Sequence, residues 1–283
     1  MGNLTGHAIP GSLFLFFGLW WTIRYSVVWA SRLGGRNTSS AATVCCNNAP
    51  SRFLKRVPVE GLCKTMFGIT GIVEEQLVAH WILIDPVTHQ FHQLVIWQHI
   101  TMYSFFALNG ICDILIALRA PVPTGIDYVS LSMAYAVEGL LFFYHLHGRN
   151  DLDVRLHKLL VLAAGLCAAV SGLEAWKPDT IVLPMLRAAL TLLQGTWFWQ
   201  VGLILYPIVP GHEWDQESKE NVMFVSMAFC WHILGILLFM SVVYTVVYHI
   251  YQLQAKEKRR VLNLEVQPLS SHMLQTQSDS DLD

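Results

Sequence analysis

The sequence predicts an all-α, polytopic membrane protein with seven transmembrane helices. Three observations carry this. The 283 residues are 54% hydrophobic and 13% charged, whereas a soluble domain has about 25% charged residues. Apolar runs of about 20 residues, the length needed to cross about 30 Å of hydrocarbon, recur along the whole chain. The strand-type alternation of a membrane barrel is absent. The same composition excludes other classes. Ten Trp and 14 Phe are too many for a disordered chain, and a net charge of −2 gives no electrostatic footprint for nucleic acid.

The first span, 10–31, follows Gly6-His7-Ala8 without a basic region before it, so it reads as an uncleaved anchor and not as a signal peptide. The second, 61–84, is the most polar, with Lys64, Glu74, Glu75 and His80. The third and fourth cover 94–118 and 127–147, the latter closed by His145, His147 and Gly148. The fifth, sixth and seventh cover 156–176, 180–206 and 222–252. Residues 1–252 are thus one transmembrane domain, and the polar segment 253–283, ending in Ser278-Asp-Ser-Asp-Leu-Asp283, reads as a disordered cytosolic tail.

Charge bias orients the bundle and supports the polar second span. With seven spans, one side holds only Arg149, Arg155 and Lys219. The other holds eleven basic residues: Arg32, Arg36, Arg52, Lys55, Arg56, Arg119, Lys177, Lys256, Lys258, Arg259 and Arg260. Without the second span the split weakens to 6 against 9. The positive-inside rule then places the N-terminus outside or in a lumen and the C-terminus in the cytosol. Six cysteines, with Cys45 and Cys46 in a polar loop and the others at a helix entrance or in apolar runs, imply no disulfide framework.

Ionisable groups in hydrocarbon are expensive and mark pathways or sites. At a rise of about 1.5 Å per residue, Glu75, Glu138 and His232 lie roughly 14–15 Å from the outer ends of their spans. His99 lies a little over one turn into the third span, His7 opens the first, and His145 and His147 close the fourth. These residues form an acidic, imidazole-rich outer layer. Nothing basic is deep enough to neutralise its carboxylates, so a bound cation or protons must do so. The site expected from this pattern has His99, His145, His147, His232 and His7 as metal ligands, and Glu75 and Glu138 as the catalytic carboxylates. Zn²⁺ suits such a set. His145 and His147 point about 200° apart on an intact helix, so both reach one ion only if the helix unwinds at Gly148. Taken singly, His7, His80 and His157 read as interfacial residues.

The inner half differs. Arg24, Lys64 and Arg187 there meet Asp113 and Glu174 at one depth, which reads as structural charge pairing. On the third span His99, Tyr103, Phe106, Gly110 and Asp113 form one stripe, and Arg187, Thr191 and Gln194 form another on the sixth. Phosphate loops, G-x-S-x-G, H-E-x-x-H and CxxC are absent.

Gly6-His7 with Pro10-Gly11 and Gly18-Leu-Trp-Trp21, Trp97-Gln-His-Ile-Thr-Met-Tyr103, His145-Leu-His-Gly148, Leu193-Gln-Gly-Thr-Trp-Phe-Trp-Gln200, Glu213-Trp-Asp215 and Cys230-Trp-His232 resemble the transmembrane protein 45 family, which includes the transmembrane epididymal proteins. The likeness covers residues 1–252. It implies a multi-pass protein of secretory and endosomal membranes or the plasma membrane, and supplies no reaction. From the residues themselves three readings stay open. One is a Zn²⁺-dependent intramembrane hydrolase acting on a lipid-like ester or amide. Another is an adaptor or receptor-like scaffold without catalysis. The last is a proton- or cation-coupled carrier, which needs a discontinuous helix, hinted at by Gly68, Gly71 and Pro184.

Overall fold

The computed structural model describes residues 3–33, 58–144, 146 and 148–280, and for Val78, 258–259 and 261–280 it describes the backbone alone. Seven helices fill these residues. They are α1 (Thr5–Leu33), α2 (Val59–Ala79), α3 (Leu94–Ala117), α4 (Ile126–Tyr144), α5 (Asp151–Trp176), α6 (Val182–Leu205) and α7 (Lys219–Ser280). The sole β feature among the described residues is the isolated bridge between Ile84 and Phe91. The described residues therefore form a polytopic all-α bundle. Cys45 and Cys46 lie outside the described residues.

Six of the seven helices are long and apolar enough to cross a membrane. The exception, α2, has 21 residues and carries Glu60, Lys64, Glu74 and Glu75. It nonetheless lies antiparallel along α3. A Cβ on Gly61 would stand 2.8 Å from the Gly110 carbonyl, and one on Gly68 would stand 2.7 Å from the Ala107 Cβ. Such close helix contact through small residues is how membrane helices gain packing energy where water supplies none. Gly68 and Gly71 are accordingly packing positions in an unbroken helix. Pro184 is equally harmless, since it occupies the first turn of α6, where an amide has no intrahelical acceptor.

The hub is α6. Of its apolar window 67% is buried, against 22% for α7, so α6 forms the centre and α7 the periphery. Trp197, Val201, Phe198 and Leu192 of α6 join Leu152, Leu156 and Leu160 of α5 and Trp21 of α1 in one core. On α7, Leu234, Leu237, Leu238, Val242, Val246 and Ile250 are exposed. In water this would be an aggregation surface; in a bilayer it is the face that lipid solvates.

Helix ends follow local chemistry. The side chain of Asn3 accepts the Gly6 amide at 2.7 Å and starts α1. Asn109 Nδ2 donates to the Asp127 carbonyl and to Ser130 Oγ, each at 2.9 Å, tying α3 to the start of α4. α4 runs to Tyr144, and beyond it Gly148 takes the left-handed conformation, with φ +75°, that glycine adopts without steric cost. Between α2 and α3, Asp85 accepts the Val87 and Thr88 amides at 2.8 Å. The Thr88 and Val87 amides hold the Asp85 carboxyl below the usual carboxylate range. Beyond residue 252 the α7 backbone continues as helix to Ser280. Gln254-Ala-Lys-Glu-Lys-Arg-Arg260 are helix-forming residues and give the chain no reason to stop at 252.

Candidate binding cavity

Two antiparallel pairs, α1 with α6 and α2 with α3, are bridged by α4, which packs on α3, and by α5, which packs on α4 and α6. α1 and α6 approach through Gly11, Gly18, Gly195 and Gly202. The pairs do not close on each other along their length. Between them lies a cavity of about 600 Å³ that runs from the end of the bundle holding His7 down to Lys64. This volume falls within the range of small-molecule sites.

Its floor is a network of ion pairs. Lys64 Nζ contacts Asp113 Oδ2 at 2.8 Å and Glu60 Oε1 at 3.0 Å. Glu60 also accepts Arg24 Nη1 at 2.7 Å and the Trp21 indole N–H at 2.8 Å. The Trp21 ring stands between Lys64, 5.2 Å from its centroid, and the Arg187 guanidinium at 4.1 Å. Arg187 Nε donates to Glu174 Oε1 at 2.6 Å, and its Nη2 donates to the Tyr25 hydroxyl at 2.9 Å. The inner layer thus pairs as its depths predict. Glu60 is the addition, one residue ahead of where the polar span was drawn.

The middle is aromatic. Phe14, Phe106 and Tyr135 stand edge or face to one another with centroids 5.5–6.3 Å apart, and the Tyr135 hydroxyl hydrogen-bonds Thr191 Oγ1 at 2.9 Å. Glu138 lines this part of the cavity at 2% exposure. Gln194 Nε2 donates to its Oε2 at 3.1 Å. Both sequence-read stripes are therefore real faces: His99, Tyr103 and Phe106 line the cavity, and Arg187, Thr191 and Gln194 meet Glu174, Tyr135 and Glu138.

At the mouth, His99 Nδ1 and Glu75 Oε1 are 2.8 Å apart. This contact with the carboxylate orients the imidazole. His7 faces His157 and Tyr206 with ring centroids at 5.8 and 5.6 Å. His157, expected to be interfacial, is instead 2% exposed in the cavity wall, with Nδ1 2.7 Å from Asp153 Oδ1. Arg149 reaches the same carboxylate at 2.8 Å. The signal lay in the four-residue spacing of Asp153 and His157, which puts them on one face of α5, with Arg149 just ahead of the helix start.

The expected metal-ligand set is only partly assembled. His99, His7, Glu75 and Glu138 line the cavity. His145 and His147 lie outside the described residues. His232 stands apart from the cavity-lining residues. Its depth on α7 is as expected, but it packs edge-on against buried Trp197 at 5.4 Å and lines a separate groove with Leu15, Leu19, Thr196 and Gln200. α7 contacts α1, α5 and α6 and has no packing contact with α2, α3 or α4, so His232 and His99 face different spaces. Among the described residues no three His, Cys, Asp or Glu side chains converge as a metal site.

Similarity to known proteins agrees with the membrane architecture. Residues 124–245 match a family described as "Family of unknown function (DUF716)". Transmembrane epididymal protein 1A of Mus musculus is 28% identical over 249 residues, covering 83% of this chain and 77% of that protein. Transmembrane epididymal protein 1 of Homo sapiens is 31% identical over 139 residues, 49% of this chain and 51% of that protein. The chain is thus similar to the transmembrane epididymal proteins. Like these relatives by name, and by its six long apolar helices, it is an integral, multi-pass membrane protein. The DUF716 match runs from the start of α4 into α7, and takes in Glu138, His157, Glu174, Arg187 and Gln194. His7, Glu75 and His99 come from helices ahead of the matched region.

Proposed function

We propose that this protein binds a small lipid-like molecule in the cavity between its helix pairs, entering from the His7 end. The carrying observation is the form of the cavity. Its apolar wall can solvate a hydrocarbon chain, and its few polar groups converge at the mouth and middle, which is how ligand sites fix orientation. The floor is occupied by mutually satisfied charges and closes the opposite end. Ile96 lines the mouth. Ile96→Trp is expected to reduce the thermal stabilisation that total membrane lipid extract gives the detergent-purified protein, with little change in its lipid-free melting temperature. Equal stabilisation of both proteins would count against entry at the mouth.

A second reading, Zn²⁺-dependent hydrolysis within this cavity, is favoured by one observation. Glu75 orients the His99 imidazole as outer carboxylates orient zinc-bound histidines, which would make Glu75 an orienting group and leave Glu138 to handle a proton. The remaining ligands would be His7 and one or both of His145 and His147. Purified protein should then hold about one zinc per chain, and His99→Ala should abolish this while His232→Ala leaves it intact. Protein without stoichiometric metal would remove this reading and leave the binding site standing. The carrier reading gains less support, because every helix among the described residues runs unbroken.

The orientation that fits is the one set by three basic residues against eleven. An introduced Thr88→Cys should react with an impermeant thiol reagent applied from outside, and Asp179→Cys only after permeabilisation. Labelling of both from one side would overturn it.

A further inference from the structure

We infer that the molecule taken up by this cavity carries a protonated amine, held by Glu138 within an aromatic enclosure. This deepens the binding reading above and rests on it. Glu138 is 2% exposed, yet it lines the cavity. None of the ion pairs among the described residues reaches it. Its hydrogen bond there comes from Gln194 Nε2, a neutral amide. Among the other cavity-lining charges, Lys64 and Arg149 each have a carboxylate partner within 3.0 Å and Glu75 has His99, while Glu74 is exposed.

What surrounds Glu138 points to the charge of its partner. Tyr135 lies three residues before it and Phe142 four residues after, one turn to either side on the same face of α4. Phe142 meets Phe198 at 5.7 Å, Phe198 meets Phe14 at 5.6 Å, and Phe14 meets Phe106 at 5.7 Å. Tyr135 closes the run against Phe106 at 5.5 Å. These rings form a continuous run that includes the residues one turn to either side of Glu138, and Phe14, Phe106, Tyr135, Phe142 and Phe198 line the same cavity. Aromatic faces attract cations and offer nothing to anions, and a carboxylate among them completes the recognition of an ammonium group. An anionic head would meet Glu138 unscreened, and a neutral head would leave it unpaired. The apolar remainder of the cavity takes the hydrocarbon part, which defines the class as a long-chain amine.

The test compares dodecylamine, dodecanol and dodecanoic acid, each below its micelle concentration, by quenching or shift of tryptophan fluorescence in the purified full-length protein. Dodecylamine is expected to bind at least tenfold tighter than dodecanol, with dodecanoic acid weakest. In Glu138→Gln the amine should fall to the level of the alcohol, with alcohol binding unchanged. Phe14→Leu, a second variant that keeps Glu138, should weaken the amine several-fold more than the alcohol. Equal binding of amine and alcohol in the wild type, or an amine preference that survives Glu138→Gln, overturns the amine assignment and leaves the lipid-binding reading intact. Failure of all three to bind overturns both.

Discussion

Glu174→Gln should destabilise the protein by about 3 kcal/mol, seen as a lower midpoint of thermal unfolding in mild detergent. Glu174 and Arg187 are 2% and 3% exposed, and their contact at 2.6 Å is the most buried ion pair among the described residues. Neutralising one partner strands the other charge away from water. The guanidinium keeps Tyr25 and the face of Trp21, but neither carries compensating charge. Replacing both partners by apolar residues of similar size, as in Glu174→Met with Arg187→Met, should recover much of the loss, because the desolvation cost of both charges vanishes with the pair. Equal destabilisation by the single and double variants would mean that packing, and not the stranded charge, sets the cost.

Gly195→Val is the second large effect, expected to cost about 3 kcal/mol through overpacking. A Cβ at Gly195 would stand 2.7 Å from the Leu15 backbone nitrogen and 2.9 Å from the Gly11 carbonyl. Both atoms are backbone, so no side chain can swing aside and α1 must move off α6. That displacement would also shift Phe14 and Phe198, which line the cavity from these two helices, so ligand capture should fall along with stability. Gly235→Ala on α7 is the control. Nothing lies within 4 Å of its Cβ position, and the change should be neutral or stabilise by up to about 1 kcal/mol, since alanine is the better helix former.

The bundle was legible because membrane spans announce themselves by length and apolarity, and depth follows from counting residues. Counting also found the two charge layers: Lys64 meets Asp113 and Arg187 meets Glu174 because residues at one depth in a narrow bundle have few other partners. Neighbour order was not legible. His232 stands at the predicted height on α7, yet α7 packs on the side of α1 and α6 away from α2 and α3, and nothing in a hydropathy profile says on which side a helix docks. The cavity was hidden for the same reason, since it arises where two helix pairs fail to close. His157 was misread because a histidine near a helix start looks interfacial until Asp153, one turn before it, is read as its partner on the same face. Gly68 and Gly71 suggested a break because glycine weakens a helix in isolation, whereas here Tyr103 and Ala107 occupy the space that a side chain would need.

The most direct measurement of the central claim is native mass spectrometry of the protein released gently from detergent. An occupied cavity of about 600 Å³ should appear as one retained molecule of a few hundred daltons per chain, lost at low collision energy, and diminished in Ile96→Trp while loosely attached annular lipids are not. A bare chain mass in the wild type, or an adduct whose occupancy is the same in Ile96→Trp, would contradict a ligand site between the helix pairs.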